Sequence, residues 1–218
     1  ARYRRIVFFF ARLLAGITFW DILLPRLGLR GIAERSRPKR MQRSAAAYRV
    51  LAVRMGGVMI KVGQFLSSRV DVLPPEFTRE LEGLQDEVAP ESFEDIRRTA
   101  EADLGKPLEE MFAQFEVKPL AAASLGQAHR AKLKEPAWQD DTLSESETQG
   151  FDVVVKVQRP NIELLISTDL AALQTVGKWL RRYPAIRRRA DVPALLDEFT
   201  RILYQEIDYV NEGHNAET

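Results

Sequence analysis

The chain has 218 residues, of which 45% are hydrophobic and 29% are charged, with 32 Lys and Arg against 31 Asp and Glu. This composition is typical of a globular protein and excludes intrinsic disorder. The absence of cysteine excludes disulfides, a thiol nucleophile and a cysteine-ligated zinc site. With only two histidines, a histidine-rich metal site or a Ser-His triad is disfavoured.

The net charge of +1 is distributed unevenly along the chain. Residues 1–54 contain thirteen Arg or Lys and only Asp21 and Glu34, so this segment carries +11 and the remainder carries −10. A basic segment with aromatic residues suits an anionic membrane surface, nucleic acid, or the acidic remainder of the same chain. Nucleic acid is the least favoured of the three partners.

The first predicted element is an amphipathic helix within the apolar residues 6–29. Its longest uncharged stretch, residues 13–20, is shorter than the roughly 20 residues that a membrane-spanning helix needs. No small-residue cleavage site follows, which argues against a signal peptide. The apolar side chains that fit one helical face are Phe8, Phe9, Leu13, Ile17 and Trp20. The sequence therefore predicts a helix that lies on a membrane surface or packs on its own protein, without a transmembrane span.

The next elements are helical. An apolar stripe at helical period predicts a long helix at 44–69, which ends before Pro74 and Pro75 because tandem proline cannot continue a helix. Shorter helices are predicted at 76–87 and 92–104, the second ending at Gly105.

The pattern then changes from helices to short strands and back to helices. The polar residues 135–150 are predicted to form a hairpin tip, and residues 121–124 a small-residue loop. The remaining elements are strands at 115–120, 126–133 and 151–158 and helices at 161–182 and 192–217. This order predicts an α+β fold with a small antiparallel sheet.

The strands carry the first candidate site. A tight small-residue loop between two strands, with Lys156 on the third, is how the nucleotide-binding lobe of a protein kinase begins. Lys156 shares a strand face with Val154 and Gln158, and an ammonium on a buried face needs an anion. The alternative is an edge-strand lysine in solvent.

The last predicted helix carries candidate carboxylates. Asp208 and Glu212 are four residues apart and share a face, whereas Glu206 points elsewhere, so one helix would direct carboxylates at two targets. The alternative is a solvated acidic face. Of the two histidines, His129 is predicted to be structural, and His214 has no partner that would make it a base.

The loop departs from the usual Gly-x-Gly-x-x-Gly pattern, because Ala121 and Ala123 stand at the first two glycine positions and only Gly126 remains. Alanine resists the positive φ that glycine adopts freely. The sequence therefore predicts a different phosphate geometry from that of ordinary kinases.

Four motifs occur together in this order: Lys61-Val-Gly63-Gln64, the alanine-rich residues 119–129, the Lys156-Val-Gln-Arg-Pro run and Glu206-Ile-Asp208. The set resembles the UbiB family of atypical protein-kinase-like proteins over about residues 40–218. The resemblance implies a kinase-like N-lobe preceded by a helical KxGQ extension. The domains would be 1–43, a basic amphipathic segment, 44–114, the KxGQ extension, and 115–218, the N-lobe.

The resemblance also implies functions and partners. Family members bind ATP or ADP with Mg²⁺ and support the biosynthesis of ubiquinone or related isoprenoid quinones at membranes, with ATPase activity better supported than protein phosphorylation. The implied partners are adenine nucleotide, an anionic membrane surface through residues 1–54, and quinone-biosynthesis proteins or lipid precursors. The implied location is the cytoplasmic face of a bacterial membrane or an organelle.

The resemblance further assigns roles to single residues. In the motifs that would gate the site, Lys61 would pair with a carboxylate. The gating residues are Lys61, Gly63, Gln64, Glu206 and Asp208. The nucleotide-binding residues would be Ala121, Ala122, Ala123, Ser124, Leu125, Gly126, Gln127, Lys156 and Glu212.

Kinase chemistry also needs a catalytic-loop Asp and Asn and a metal-binding Asp-Phe-Gly. Neither His-Arg-Asp nor Asp-Phe-Gly occurs in the sequence. We therefore expect that the chain lacks a C-lobe and its metal ligands, contains no catalytic residue of its own, and is inactive alone. The alternative from a different class is a non-enzymatic helical adaptor that binds a membrane or a partner through its basic N-terminus.

Overall fold

The computed structural model describes residues 1–69, 73, 75–85, 88–134, 151–188 and 190–216, without the side chains of Glu212 and His214 among others. The predicted tip at 135–150 therefore lies outside the described residues. The chain divides into two compact units. We call Ala1–Glu87 with Glu163–Thr218 the helical unit and Val88–Ile162 the sheet unit.

The helical unit begins with a long helix. Helix α1, Arg2–Ile17, continues through a π-helical stretch, Thr18–Leu23, into α2, Leu24–Arg26. Taken together, Arg2–Arg26 is long and apolar enough to cross a membrane, although core helices and signal sequences pass the same test of length and composition. The sequence prediction of no transmembrane span counted only the uncharged stretch, and it remains a prediction. Only 11% of the most apolar window is buried.

Two glycines divide the helix predicted at 44–69. Gly56 and Gly57 adopt φ of 64° and 54°, a left-handed conformation that glycine tolerates and that no α-helix can pass through. The prediction of one continuous helix is therefore wrong: α3 spans Arg30–Met55 and α4 spans Val58–Ser67.

The remaining helices of the unit follow the predicted order. They are α5 at Pro75–Leu81 with a 3₁₀ turn at Glu82–Gln85, α8 at Ile162–Leu180, α9 at Pro184–Arg187, α10 at Val192–Ile207 and α11 at Tyr209–Ala216. Helices α6, Phe93–Leu104, and α7, Leu108–Met111, lie in the sheet unit. The predicted helix 192–217 is interrupted at Asp208, which leaves the helical conformation with ψ of 78°. The premise that Asp208 and Glu212 share a face of one helix is therefore wrong.

The sheet unit combines two helices with four short strands. They are α6 at Phe93–Leu104, α7 at Leu108–Met111, β1 at Phe112–Phe115, β2 at Ala121–Ala122, β3 at Gly126–Leu133 and β4 at Asp152–Gln158. Helix α6 agrees with its prediction: Ser92 Oγ caps it by accepting from Asp95 N–H at 3.2 Å, and Gly105 ends it with φ of 68°.

Strand β3 is central and antiparallel to all its neighbours, with β1 and β2 on one side and β4 on the other. The predicted bounds of the first strand, 115–120, are wrong. Pro119 has no N–H to give to a sheet, and bonding to β3 resumes at the N–H of Leu120, so that β2 begins at Ala121, which was predicted to lie in a loop. The α+β class with a small antiparallel sheet is confirmed.

One face of the sheet packs against α6 and α7 to form the core of the unit. On β4 this inward face carries Val153, Val155 and Val157, and the fully or nearly buried members around it are Ile96, Ala100, Leu108, Phe112 and Ala131. Because side chains alternate along a strand, Val154 and Lys156 point to the opposite face, and both are exposed.

Candidate functional site

The alanine-rich segment forms a tight hairpin between β2 and β3. The N–H of Ala123 donates to the carbonyl of Gly126 at 2.8 Å, which closes a four-residue turn. No residue from 121 to 126 has a positive φ. The alanines therefore adopt this backbone without strain, and the absence of the usual glycines does not distort the hairpin.

Arg159, which directly follows β4, holds this hairpin. Its Nε donates to the carbonyl of Ala123 at 3.2 Å, and its backbone N–H donates to the carbonyl of Leu125 at 2.9 Å. The rest of the guanidinium donates to the carbonyl of Ala89 at 2.7 Å and forms an ion pair with Glu91. Arg159 is only 8% exposed. Charge-assisted hydrogen bonds in such surroundings are strong, so one residue fixes both sides of the turn.

A chain of buried polar groups continues behind the hairpin. Gln127 accepts from the N–H of Glu91, and its Nε2 lies 3.2 Å from Nε2 of His129. Nδ1 of His129 lies 2.8 Å from the carbonyl of Glu116. Because that carbonyl only accepts, we assign the proton of a neutral His129 to Nδ1 and the acceptor role to Nε2. The structural role predicted for His129 is confirmed.

The seven predicted loop residues therefore divide into two groups. Ala121 and Ala123 are exposed and Ala122 is half-buried, whereas the other four are buried. The buried members are Ser124, Leu125, Gly126 and Gln127. The side chain of Gln127 is committed to Glu91 and His129, so it supports the hairpin from behind rather than facing solvent.

Lys156 lies on the exposed face of β4, opposite Ala128 of β3. Within the described residues β4 pairs on one side only, and Val154 on the same face is 60% exposed. The premise that Lys156 lies on a buried face and therefore needs an anion is wrong, because this face of β4 is exposed. The predicted pairing of Lys156 with Glu212 remains a prediction, because the side chain of Glu212 lies outside the described residues.

The KxGQ segment forms α4 and packs along α10 in the helical unit. Nζ of Lys61 donates to Oε1 of Glu206 at 2.6 Å and also contacts Oε2. One turn further along α4, Phe65 lies 5.4 Å from the ring of Phe199, and Arg69 forms an ion pair with Glu198. The spacing of 61 and 65 places the first two contacts on one helical face, and Arg69 follows just after the end of α4 at Ser67. Lys61 was expected to lie near Glu206 or Asp208, and it contacts Glu206. The gating role of Lys61 remains a prediction.

The other residues of these two motifs serve local structure. A Cβ on Gly63 would overlap Cδ1 of buried Leu84 and lie 3.2 Å from Tyr48, so any larger residue here would force Leu84 to move. Asp208 starts α11 by accepting from the N–H of Asn211 at 3.1 Å and from its side-chain amide at 2.5 Å.

A buried charge pair lies in the helical unit outside these motifs. Arg2 donates to both carboxylate oxygens of Asp169 at 2.6 Å and to the carbonyl of Met55 at 2.7 Å. Asp169 is fully buried, and burial raises its pKa despite the opposing effect of Arg2. Burial, with a smaller effect of Asp169, raises the pKa of the neighbouring phenol of Tyr48 well above its ordinary value.

The sequence interpretation missed the role of Arg159 and of Glu91. Arg159 stood in a recognised motif, but nothing in the sequence showed that a charged residue next to Pro160 would be buried. Its position directly after β4 was the one signal that could have shown this role, since a residue just beyond the end of an edge strand can reach a neighbouring turn. In the described part of the chain, no group of three or more His, Asp or Glu side chains is placed to hold a metal ion.

Comparison with known proteins supports the motif analysis. Residues 83–218 match the family model described as ABC1 atypical kinase-like domain. A probable protein kinase UbiB of Pasteurella multocida is 40% identical over 162 residues, which cover 74% of this chain. The chloroplastic protein ACTIVITY OF BC1 COMPLEX KINASE 7 of Arabidopsis thaliana is 38% identical over 187 residues, or 86% of this chain.

The match to these relatives covers a limited part of them. The aligned part is 30% of the length of the Pasteurella protein and 25% of that of the Arabidopsis protein, so the chain spans less than a third of each. Among solved structures, Rv3197 of Mycobacterium tuberculosis in complex with erythromycin is 27% identical with a TM-score of 0.40, covering 87% of this chain and 41% of that one.

Proposed function

The chain belongs to the ABC1 atypical kinase-like family, and we propose that its sheet unit binds adenine nucleotide as part of an atypical kinase or ATPase. The observation that carries the proposal is the order of β2, a tight alanine-rich turn, β3, and then Lys156 on the exposed face of β4. A lysine at this position is the group that pairs with nucleotide phosphates in kinase-like lobes.

Within this proposal the loop residues have different duties. Ala121, Ala122 and Ala123 are the members that reach the surface, so they are the ones that approach the phosphates. Gln127 and Arg159 act from behind by fixing the hairpin. Mg²⁺ would neutralise phosphate charge when bound with the nucleotide, and Lys156 would orient the phosphates beside it.

The other residues keep the roles that the family resemblance implies. Glu212 would pair with Lys156, and Lys61, paired with Glu206, would keep the gating role that the resemblance implies. We propose that the whole protein supports the biosynthesis of ubiquinone or a related isoprenoid quinone. The organisation into segments 1–43, 44–114 and 115–218 remains part of this proposal.

Titration calorimetry of the 218-residue chain with MgADP and MgATP tests the nucleotide proposal. We expect measurable binding that weakens about tenfold or more in Lys156→Met, because a phosphate contact is lost. Lys132→Met is the matched control, since Lys132 lies on the same sheet face opposite Asp152. Equal loss in both variants, or no binding by the parent chain, would contradict a nucleotide site at Lys156.

A second function, membrane association through residues 1–54, is favoured by a separate observation. The Arg2–Arg26 helix is apolar and little buried, and the segment that contains it carries +11. Basic segments gain about 1 kcal/mol per Lys or Arg near an anionic bilayer. We expect the chain to float with vesicles that contain phosphatidylglycerol at low salt, and to bind less as salt rises. Absence of flotation at low salt would exclude this association.

A further inference from the structure

An open groove runs between the first and third helices of the helical unit. Its volume is about 390 Å³, within the usual range for small-molecule sites. The wall from α1 and the π-helical stretch consists of Phe9, Leu13, Gly16, Ile17 and Trp20. The wall from α3 consists of Met41, Ser44 and Ala47.

The groove extends along α1 into the π-helical stretch. Phe9 and Trp20 are eleven residues apart on one helix, which corresponds to about 16 Å along its axis. Gly16 opens the middle, because a Cβ built on it would have no neighbour within 4 Å. An extended apolar chain would fit along this length.

Arginines surround the apolar floor. Arg40 at one end is already neutralised, since it pairs with Asp21 at 2.7 Å and lies 4.8 Å from the Trp20 ring. Arg12 and Arg43 are exposed on the two walls, and within the described part of the chain neither has a carboxylate partner. Two uncompensated guanidiniums beside an apolar slot are complementary to one anionic headgroup with a hydrocarbon tail.

The surface next to the groove identifies the source of this ligand. At the turn from α2 into α3, large apolar side chains are exposed; we call Phe19, Leu23, Leu27, Leu29 and Ile32 the apolar tip. Exposed cations follow on α3 at Arg35 and Arg37. An apolar tip flanked by arginines fits the interface of an anionic bilayer.

We propose that this groove holds one anionic phospholipid of the bilayer, with an acyl chain along Phe9, Leu13 and Trp20 and the phosphate between Arg12 and Arg43. The site goes beyond the nucleotide function and is independent of it, but it rests on the proposed membrane association. It assigns Arg12 and Arg43 a role that Arg35 and Arg37, with the same charge, do not have.

Quenching of Trp20 fluorescence tests the site. The parent is the 218-residue chain with Trp138 and Trp179 replaced by phenylalanine, which leaves Trp20 as the sole tryptophan. It is mixed with vesicles of equal parts phosphatidylcholine and phosphatidylglycerol, with bromine on the acyl chains of one lipid at a time. We expect brominated phosphatidylglycerol to quench Trp20 at least about twofold more than brominated phosphatidylcholine, per bound protein.

Two kinds of variant separate the groove from general attraction. Arg12→Gln with Arg43→Gln should remove that preference, whereas Arg35→Gln with Arg37→Gln should weaken flotation similarly but leave the quenching of bound protein unchanged. Gly16→Leu should fill the groove and abolish the preference while preserving the fold, since leucine is a better helix former than glycine.

The outcomes distinguish the two proposals. No flotation of the parent chain would overturn membrane association and the groove site together. Flotation with equal quenching by both lipids, or with quenching that Arg12→Gln/Arg43→Gln and Gly16→Leu leave intact, would overturn the groove site alone.

Discussion

Arg159 of the sheet unit and two arginines of the N-terminal helices, Arg12 and Arg43, have opposite surroundings. Arg159 of the sheet unit is buried, and its guanidinium donates hydrogen bonds to Ala89, Ala123 and Glu91. Arg12 and Arg43 of the N-terminal helices stand exposed beside an open apolar groove. The first arrangement fixes the backbone of the molecule itself, and the second leaves charge available to something else. Mutation of Arg159 should therefore lower the stability of the fold, whereas mutation of Arg12 or Arg43 should mainly affect binding.

The largest expected effect is at Arg159. Arg159→Met should lower the free energy of unfolding by about 3 kcal/mol, because it leaves Glu91 and two carbonyls without their donors. Urea unfolding measures the loss. The control is Arg130→Met on the exposed face of β3, which should change stability by less than about 0.5 kcal/mol. Equal small effects would show that the hairpin does not depend on Arg159.

Within the helical unit, the tightly packed Gly63 and the open Gly16 give a similar comparison of buried and exposed surroundings. Gly63→Ala should destabilise by about 1 kcal/mol, because the clash with buried Leu84 exceeds the gain in helix propensity. Gly16→Ala, in the open groove, should stabilise by about 1 kcal/mol. Thermal and urea unfolding of both variants test the opposite signs, and the same sign in both would contradict the packing described for one of them.

The pH dependence of the Arg2–Asp169 pair gives a smaller effect. Burial raises the pKa of Asp169, so the folded chain retains this proton at a pH where the unfolded chain has released it. Its contribution to stability therefore falls as pH rises from the ordinary aspartate pKa of 3.8 to the raised folded value. We expect the stability of the parent relative to Asp169→Asn to decline over that window. A relative stability that rises with pH would contradict the direction of the shift.

The smallest expected effect on stability is at Lys61. Both partners of its pair are partly exposed, at 21% and 35% of their side chains. Lys61→Met should therefore change the free energy of unfolding by less than about 1 kcal/mol in urea. A loss comparable to that of Arg159→Met would mean that the pair is structural and not the gate proposed for it.

The sequence predicted the order of helices and strands, the helix at 92–104, the strand that carries Lys156 and the contact of Lys61 with a carboxylate of Glu206-Ile-Asp208. These features depend on periodicity and on recognisable motifs. The breaks at Gly56–Gly57 and at Asp208 were missed, because an apolar stripe continues across them while the backbone does not. The polar network of Arg159, Gln127 and His129 was missed because burial of a charged or amide side chain depends on tertiary neighbours.

The contact between Arg2 and Asp169 has a consequence for synthesis of the chain. The two residues are 167 positions apart. At about 5–20 residues per second, the ribosome needs on the order of ten to thirty seconds to make Asp169 after Arg2 has been added. During that interval Arg2 and Tyr3 of the first helix are without Asp169 and Thr175, their partners on α8. A nascent chain in this state has time to meet a bilayer or a chaperone before the contacts of the helix with α8 can form.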